Sequence, residues 1–238
     1  MTATPHFDPA TVRAVVFDIG GVFLYPAYRP VEEMLVERSL PVPGDTVVFR
    51  AAHHAGARAL TERAGVVREH AIDFWTVYDD AYAAALGVPP ELRDGFRVAI
   101  RTAWDWAHDD NIAAFHRLAA TGMPLAIVSN NDGTAAQQMI DHGVCQIGTG
   151  PCPSVAVVVD SGVIGIAKPD PAIMAPALDA LGLPCEEVLY VGDTVHADVV
   201  GATNAGMQVV QLDPFDHHVD YGHTRLPDVD TLVRLLDA

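Results

Sequence analysis

The chain alternates short apolar runs with helical segments, and this alternation constrains its fold more than any other feature. Five runs rich in Val, Ile and Leu indicate buried strands at residues 12–17, 125–128, 155–159, 188–191 and 207–212. Helical segments separate most of them, each with a glycine close behind that can end a helix, at residues 112–120, 134–142, 171–181 and 197–205. Strands that alternate with helices predict an α/β fold with a Rossmann-like parallel sheet core and helices on both faces.

One connection is too long for this scheme and indicates an inserted subdomain. A simple crossover needs only about 10 to 12 residues, far fewer than the stretch 26–108 provides. Its helical candidates are residues 30–39, 45–63, 69–86 and 90–107. Aromatic side chains expected in its own core recur at helical spacing, at Phe74, Trp75, Tyr78 and Tyr82. We therefore expect a core domain of residues 1–25 and 109–238 and an all-helical cap domain of residues 26–108.

Two local signals concern the helices of the core. Asp228 is a suitable N-cap for a last helix at residues 226–236. Pro176 lies inside the expected helix 171–181, where it removes a backbone donor. We therefore expect a capped C-terminal helix and a kink at Pro176.

Polar residues follow the predicted strands at the edge of the sheet where ligands bind. They are, in chain order, Asp18, Ser129, Asn130, Lys168, Asp193 and Asp198. Lys168 is the only lysine in the chain, beside thirteen arginines. In open parallel sheets ligands sit beyond the carboxyl ends of the strands, so we expect these side chains to converge there.

These residue types suit phosphoryl transfer. A carboxylate can attack phosphorus and form an acyl phosphate, and Mg²⁺ prefers oxygen ligands such as those of Asp18 and Asp193. A hydroxyl, an ammonium and loop amides, as supplied around Ser129 and Lys168, can stabilise the charged phosphoryl oxygens. Each residue taken alone is also compatible with an ordinary turn or helix cap, so the prediction depends on the whole set.

Four segments of the chain, VVFDIGGVF, LAIVSNN, IAKPDP and VLYVGDTVHAD, resemble the four successive motifs of the haloacid dehalogenase superfamily of hydrolases. Their order and spacing match, and the resemblance covers essentially the whole chain. The insert resembles the helical cap of that superfamily's phosphatase and dehalogenase branch. The resemblance implies a Mg²⁺-dependent phosphatase that hydrolyses a small phosphorylated metabolite through an aspartyl phosphate.

The resemblance also implies a role for each residue at the edge of the sheet. The nucleophile is Asp18. The phosphoryl group and the rest of the substrate are held by Ser129, Lys168, Asn130 and Gly21. The Mg²⁺ ion is bound by Asp18, the carbonyl of Gly20 and Asp193, with Asp198 in the outer shell.

The first motif departs from the family pattern at Gly20. The family normally has a second aspartate there, which protonates the leaving group and later activates water. General acid–base assistance is worth about 10²- to 10⁴-fold in rate, so we expect slow turnover of alkyl phosphates and better turnover of aryl or acyl phosphates. A phosphomutase is disfavoured, because returning a phosphoryl group to a sugar hydroxyl depends on the same acid–base group. A histidine within the site could take the place of the missing acid–base group, and the candidates are His196, His53 and His54. A surface position is the favoured interpretation for each.

Two other functions remain open. Halide departure needs no protonation, so a haloacid dehalogenase would tolerate Gly20, although that reaction uses no metal and leaves Asp193 and Asp198 unexplained. A binding or regulatory protein with the same fold and weakened turnover is the alternative from a different class.

The composition limits the partners and the compartment. A formal charge of −17 disfavours nucleic acids and anionic membranes, since clustered Lys and Arg bind both. The apolar runs are shorter than the roughly 20 residues of a membrane-spanning helix, and the first residues lack a secretory signal pattern, so we expect a cytoplasmic protein. The spacing of the three cysteines suggests reduced thiols. We expect an exposed loop at His217, His218 and His223, and the sequence predicts no oligomeric state.

Overall fold

A computed structural model describes residues 7–64 and 74–237. The chain divides into two compact units. The first, here called the core unit, is drawn from Met1–Phe23, Ala107–Pro214 and Val219–Ala238. The second, here called the inserted unit, comprises Leu24–Trp106 and Phe215–His218. Its main segment begins and ends two residues before the cap expected at residues 26–108.

The short segment Phe215–His218 belongs to the inserted unit, whereas the sequence analysis places it in the core domain. Two contacts explain the difference. The ring of Phe215 lies 5.4 Å from the ring of His54, and the guanidinium of Arg58 donates a hydrogen bond to the carbonyl of His217. Both contacts join residues distant in sequence, so no local pattern reveals them.

The strands are β1 (Ala14–Phe17), β2 (Leu24–Tyr25), β3 (Trp106–Ala107), β4 (Leu125–Ser129), β5 (Gln146–Ile147), β6 (Ser154–Val155), β7 (Val158–Asp160), β8 (Val188–Gly192), β9 (Gln208–Leu212) and β10 (Thr224–Leu226). Within the described residues, one sheet has six strands in the order β10-β9-β8-β1-β4-β7. All its neighbouring strands run parallel. Short two-stranded sheets pair β2 with β3 and β5 with β6.

The helices are α1 (Tyr28–Glu37), α2 (Val47–Ala64), α3 (Phe74–Ala85), α4 (Arg93–Ile100), α5 (Asp109–Ala120), α6 (Ala135–Asp141), α7 (Ser161–Ile164), α8 (Ala175–Leu181), α9 (Val200–Asn204) and α10 (Val229–Leu236). Short 3₁₀ segments lie at Pro9–Thr11, Pro90–Leu92, Pro171–Met174 and Cys185–Glu187, and a π-helical turn lies at Val195–Val199.

The core unit is a parallel sheet with helices on both faces, which confirms the predicted fold class. Alternate residues of β1 face opposite ways, as the pleat requires. Val16 packs with Met174 and Ala202 on the face covered by α8 and α9. Phe17 lies on the other face, with its ring 5.4 Å from that of Phe115 of α5. Apolar burial on both faces explains why this strand has no polar alternation.

Several predicted elements of the core differ in detail. The run 155–159 is divided between β6 and β7, because residues on either side of Ala156 pair with different strands. Strand β10 was not predicted, and it places Leu226 outside the C-terminal helix. That helix begins at Val229, and Asp228 caps it as expected by accepting a hydrogen bond from the Thr231 N–H at 2.7 Å.

The expected kink at Pro176 is wrong. Residues 171–181 form a 3₁₀ turn, Pro171–Met174, followed by the separate helix α8. Pro176 is the second residue of α8. The first N–H groups of a helix have no intrahelical partner, so proline loses nothing there.

The inserted unit is helical, with α1 to α4 around their own apolar core. Tyr78 and Tyr82 of α3 are buried in it, but Trp75 is 40% exposed, contrary to the expectation. The side chain of Phe74 and residues 69–73 of the expected third helix lie outside the described residues. The fourth helix ends at Ile100 rather than 107, because Trp106–Ala107 pairs with β2.

No helix in the described ranges is long and apolar enough to cross a membrane. All three cysteines are free.

We predict that Asp228→Ala lowers the free energy of unfolding by about 1 kcal/mol, because it removes the side-chain acceptor at the start of α10. Urea titration would measure the change. Asp220→Ala, at an exposed loop position, is the control and should change stability by less than about 0.5 kcal/mol. Equal effects of the two substitutions would contradict this account of α10.

Candidate active site

Three polar residues emerge side by side where neighbouring strands end. Asp18 directly follows β1, Ser129 is the last residue of β4, and Asp193 directly follows β8. Because β1 lies between β4 and β8 in the parallel sheet, these ends meet at one edge. All three side chains are buried, so the edge forms an enclosed polar site within the core unit.

Carboxylates cluster at this edge. Asp18, Asp193 and Asp198 each offer an oxygen, and these oxygens lie within 4.8 Å of one another. The ammonium of Lys168 lies 2.8 Å from Asp18 Oδ1 and 2.7 Å from Asp198 Oδ1. The four side chains are all buried, so negative charge exceeds positive charge inside the protein.

This imbalance appears in the pKa values. Burial raises the pKa of Asp18 to about 7, because the attraction of Lys168 does not offset desolvation and the neighbouring carboxylates. Burial alone would lower the pKa of Lys168, but Asp18 and Asp198 raise it above its ordinary value, so the ammonium stays protonated. Burial alone would raise the pKa of Asp198, yet Lys168 and the hydrogen bonds from Thr194 hold it below its ordinary value.

The donor set fits a hard divalent cation. Oxygen ligands with excess negative charge are what Mg²⁺ and similar ions bind. Both oxygens of Asp198 are occupied by protein donors, because Oδ1 accepts from Lys168 and Oδ2 accepts from the Thr194 N–H and hydroxyl, at 2.9 and 2.6 Å. An oxygen that is occupied in this way is less available to a metal ion.

Two glycines allow this close approach. Gly21 has φ +65°, and a Cβ there would lie 2.4 Å from the carboxylate carbon of Asp193. A Cβ at Gly192 would lie 2.3 Å from the carboxylate carbon of Asp198. Any larger residue would displace an acidic side chain of the cluster. Gly20, half-buried in the same loop, has no side chain to donate or accept a proton.

Asn130 holds the segment that contains Lys168. Its side-chain Oδ1 accepts from the backbone N–H of Lys168 at 2.7 Å, and its Nδ2 donates to the carbonyl of Lys168 at 3.0 Å. The resemblance to the family predicts Asn130 at the substrate. The structure places both ends of its amide on the protein backbone, where they fix the position of Lys168.

Tyr190 and Thr194 were missed by the sequence analysis. Tyr190 Oη lies 2.9 Å from Lys168 Nζ and 3.0 Å from Asp198 Oδ1, while Thr194 caps Asp198 as described above. A tyrosine inside an otherwise aliphatic buried strand is a signal that could have been used, because a buried phenol needs a hydrogen-bond partner. The resemblance to the family's motifs assigns a role to Asp193 but none to Tyr190 in the strand before it.

The backbone of Asp193 is held from β9. Gln211, fully buried, donates to the Asp193 carbonyl at 2.8 Å. Its Oε1 contacts His223 Nε2 at 2.6 Å. Because a carbonyl oxygen only accepts, His223 Nε2 is the donor in this contact. The pair thus fixes the loop that presents the Asp193 carboxylate.

Surface positions were predicted for several histidines, and three of these predictions are wrong. In the inserted unit His53 and His54 are buried, where His53 Nδ1 lies 2.8 Å from Tyr78 Oη and His54 Nε2 lies 3.2 Å from Tyr25 Oη. His218, expected on an exposed loop, is also buried. Aromatic packing explains the burial of His53 and His54, because their rings fill space beside Tyr and Trp while their nitrogens bond hydroxyls. His196 is partly exposed.

Known proteins resemble this chain over most of its length. Residues 12–206 match the model of the haloacid dehalogenase-like hydrolase family. A phosphoserine phosphatase from Thermus thermophilus is 31% identical over 159 residues, which cover 66% of this chain and 59% of that protein. A phosphoglycolate phosphatase from Yersinia pseudotuberculosis is 24% identical over 217 residues, covering 84% and 81% of the two chains.

Solved structures share the fold. The HAD-hydrolase YfnB from Bacillus subtilis, bound to magnesium, superposes with a TM-score of 0.60 at 17% identity, covering 95% of this chain and 99% of that one. An L-2-haloacid dehalogenase from Xanthobacter autotrophicus superposes with a TM-score of 0.54 at 20% identity, covering 95% and 99%. With a family match over most of its length and an acidic cluster at the expected strand ends, the chain belongs to the haloacid dehalogenase-like hydrolase family.

Proposed function

We propose that this protein is a Mg²⁺-dependent phosphatase that hydrolyses a small phosphorylated metabolite through an aspartyl phosphate on Asp18. The observation that carries the proposal is the buried cluster itself. It combines a carboxylate nucleophile, further carboxylate oxygens within 4.8 Å and a protonated lysine 2.8 Å from the nucleophile. The phosphatases among the relatives support the same reaction class.

The reaction has two displacements. A carboxylate oxygen of Asp18 attacks phosphorus, and the bond between phosphorus and the leaving oxygen breaks, with the electron pair going to that oxygen. Water then attacks the phosphorus of the aspartyl phosphate, which releases inorganic phosphate and restores the Asp18 carboxylate. Lys168 remains protonated throughout, so it can neutralise charge on the phosphoryl oxygens, and Ser129 can donate its hydroxyl to them.

Asp18, Asp193 and the carbonyl of Gly20 would hold the Mg²⁺ ion, with Asp198 outside them. Bound there, the ion supplies positive charge that balances the acidic cluster and stabilises the phosphoryl oxygens in the transition state. This assignment agrees with the hydrogen bonds of Asp198, which occupy both of its oxygens with protein donors.

The same charges disfavour dehalogenation. A haloacid carries its own carboxylate, and without a metal it would meet three buried carboxylates and a single ammonium in the described part of the site. The carboxylate of the haloacid and those of the site would repel each other strongly, because the site is buried and screens charge poorly. We therefore expect phosphate release from phosphate esters and no chloride release from 2-chloropropionate. Chloride release without added metal would instead favour the dehalogenase.

We predict a steep dependence of rate on the leaving group, because Gly20 supplies no proton to the departing oxygen. Aryl and acyl phosphates should be turned over about 10²- to 10⁴-fold faster than alkyl phosphates, the range that general acid assistance normally contributes. Initial rates of phosphate release across a series of esters of graded leaving-group pKa would measure this dependence.

Asp18→Asn is the control for that series and should abolish release from every ester, since an amide is a poor nucleophile. A flat dependence in the chemical step would show that another residue protonates the leaving group. Labelling of Asp18 by beryllofluoride without multiple turnovers would favour the binding or regulatory alternative.

We predict that stabilisation by Mg²⁺ increases with pH. Burial raises the pKa of Asp18 from 3.8 to about 7. The neutral carboxyl therefore contributes stability that is complete below about pH 4 and is lost as the pH rises through about 7. Because Mg²⁺ binds the ionised form, the rise in Tm on adding Mg²⁺ should be larger at about pH 8 than at about pH 5.

Asp193→Asn provides the matched control for the thermal unfolding experiment. It removes a ligand but keeps Asp18, so the Mg²⁺-dependent rise in Tm should shrink at both pH values. A rise of equal size at the two pH values in the unaltered protein would argue against a metal site at Asp18.

A further inference from the structure

The hydroxyl of Tyr190 lies at the centre of the buried polar network, although the proposed mechanism gives it no role. Tyr190 belongs to β8, two residues before Gly192, and its side chain is fully buried with the apolar cluster on the α8 and α9 face. Its Oη lies 2.9 Å from Lys168 Nζ, 3.0 Å from Asp198 Oδ1 and 3.0 Å from the carbonyl oxygen of Val128.

The ammonium of Lys168 has three oxygen neighbours. It donates hydrogen bonds to Asp198 Oδ1 at 2.7 Å and to Tyr190 Oη at 2.9 Å. Its third neighbour is Asp18 Oδ1, an ion-pair contact at 2.8 Å. The two hydrogen bonds therefore fix the place of the ammonium beside Asp18.

The proton of Tyr190 connects this arrangement to β4, which lies beyond β1 in the sheet. Because Oη accepts from Lys168, its own hydrogen goes to one of its two neighbouring acceptors, Val128 O or Asp198 Oδ1. Asp198 Oδ1 already accepts from Lys168. Val128 O precedes Ser129, which the proposed function places at the phosphoryl group. Tyr190 thus ties the lysine to the backbone that carries the serine.

We propose that Tyr190 is a positioning residue, which holds the Lys168 ammonium beside Asp18 and the phosphoryl group attached there. The role in catalysis rests on the proposed phosphatase function. The position of the ammonium does not, because it follows from contacts within the protein.

Tyr190→Phe removes the hydroxyl and keeps the ring that packs in the core. One N–H of Lys168 then lacks an acceptor, and the ammonium is free to turn away from Asp18. Charge on the phosphoryl oxygens is largest in the transition state, so misdirection of the ammonium should affect turnover more than substrate binding. The oxygens of Asp18 and Asp193 stay in place, so Mg²⁺ affinity should not change.

Steady-state kinetics with para-nitrophenyl phosphate and Mg²⁺ test the catalytic role. We expect Tyr190→Phe to lower kcat about 10- to 100-fold, the effect of losing one hydrogen bond to a charged group, with KM changed less than about threefold. The control is Tyr82→Phe, a fully buried tyrosine of the inserted unit whose hydroxyl has no partner among the described residues. It should retain kcat. A kcat of Tyr190→Phe within twofold of the unaltered protein would overturn the proposal.

A second experiment does not depend on activity. Lys168 is the only lysine, so labelling lysine with ¹⁵N at Nζ gives a single ammonium signal in NMR spectra of the intact protein. We expect slow hydrogen exchange with water in the unaltered protein and about tenfold faster exchange in Tyr190→Phe. If no ester is hydrolysed, the proposed function fails, and this signal still decides the inference.

Two outcomes of the NMR experiment would refute the positioning role. One is an unchanged shift and exchange rate in Tyr190→Phe. The other is exchange in the unaltered protein as fast as in free lysine, which needs no variant and so does not depend on whether Tyr190→Phe folds.

Discussion

The ion pairs of Lys168 are the interaction on which the candidate site depends. Taking an ammonium and its partner carboxylates out of water costs several kcal/mol per ion, and the cost is offset only when every donor is matched. Here the ammonium donates hydrogen bonds to Asp198 and Tyr190 and forms an ion pair with Asp18 at 2.8 Å. Loss of one carboxylate would leave charge buried without compensation, at a cost of about 3–5 kcal/mol. The lysine therefore joins β1 to the turn that follows β8.

The order of strands determines which residues can meet this lysine. Strand β1 is central and pairs with both β4 and β8, so Asp18 has Ser129 on one side and Asp193 on the other. None of these residues is near another in sequence. The site consequently exists only when the parallel sheet has formed, and the glycines at 21 and 192 then let the acidic side chains approach across the loops. Stability of the sheet and integrity of the site are linked.

The positions of Asp18, Ser129 and Asp193 could be predicted because each is a local property, a polar residue at the end of an apolar run. Residues whose role depends on packing could not. In the sequence Tyr190 looks like one more buried position of β8, and only the fold brings its hydroxyl to Lys168. The pattern of β9 likewise does not reveal that Gln211 bonds the carbonyl of Asp193. The burial of His53 and His54 likewise depends on tyrosines distant in sequence.

Gly20 provides no proton donor, and the positive charge of Lys168 cannot replace one. In a loose phosphoryl-transfer transition state the leaving oxygen has largely separated from phosphorus and carries developing charge. In the proposed mechanism Lys168, held 2.8 Å from Asp18, acts on the attacking side of the phosphoryl group. General acid assistance of about 10²- to 10⁴-fold corresponds to about 3–5 kcal/mol of barrier, and a more acidic leaving group can supply that difference. Substrate choice by this enzyme should therefore depend on the chemistry of the leaving group as well as on its shape.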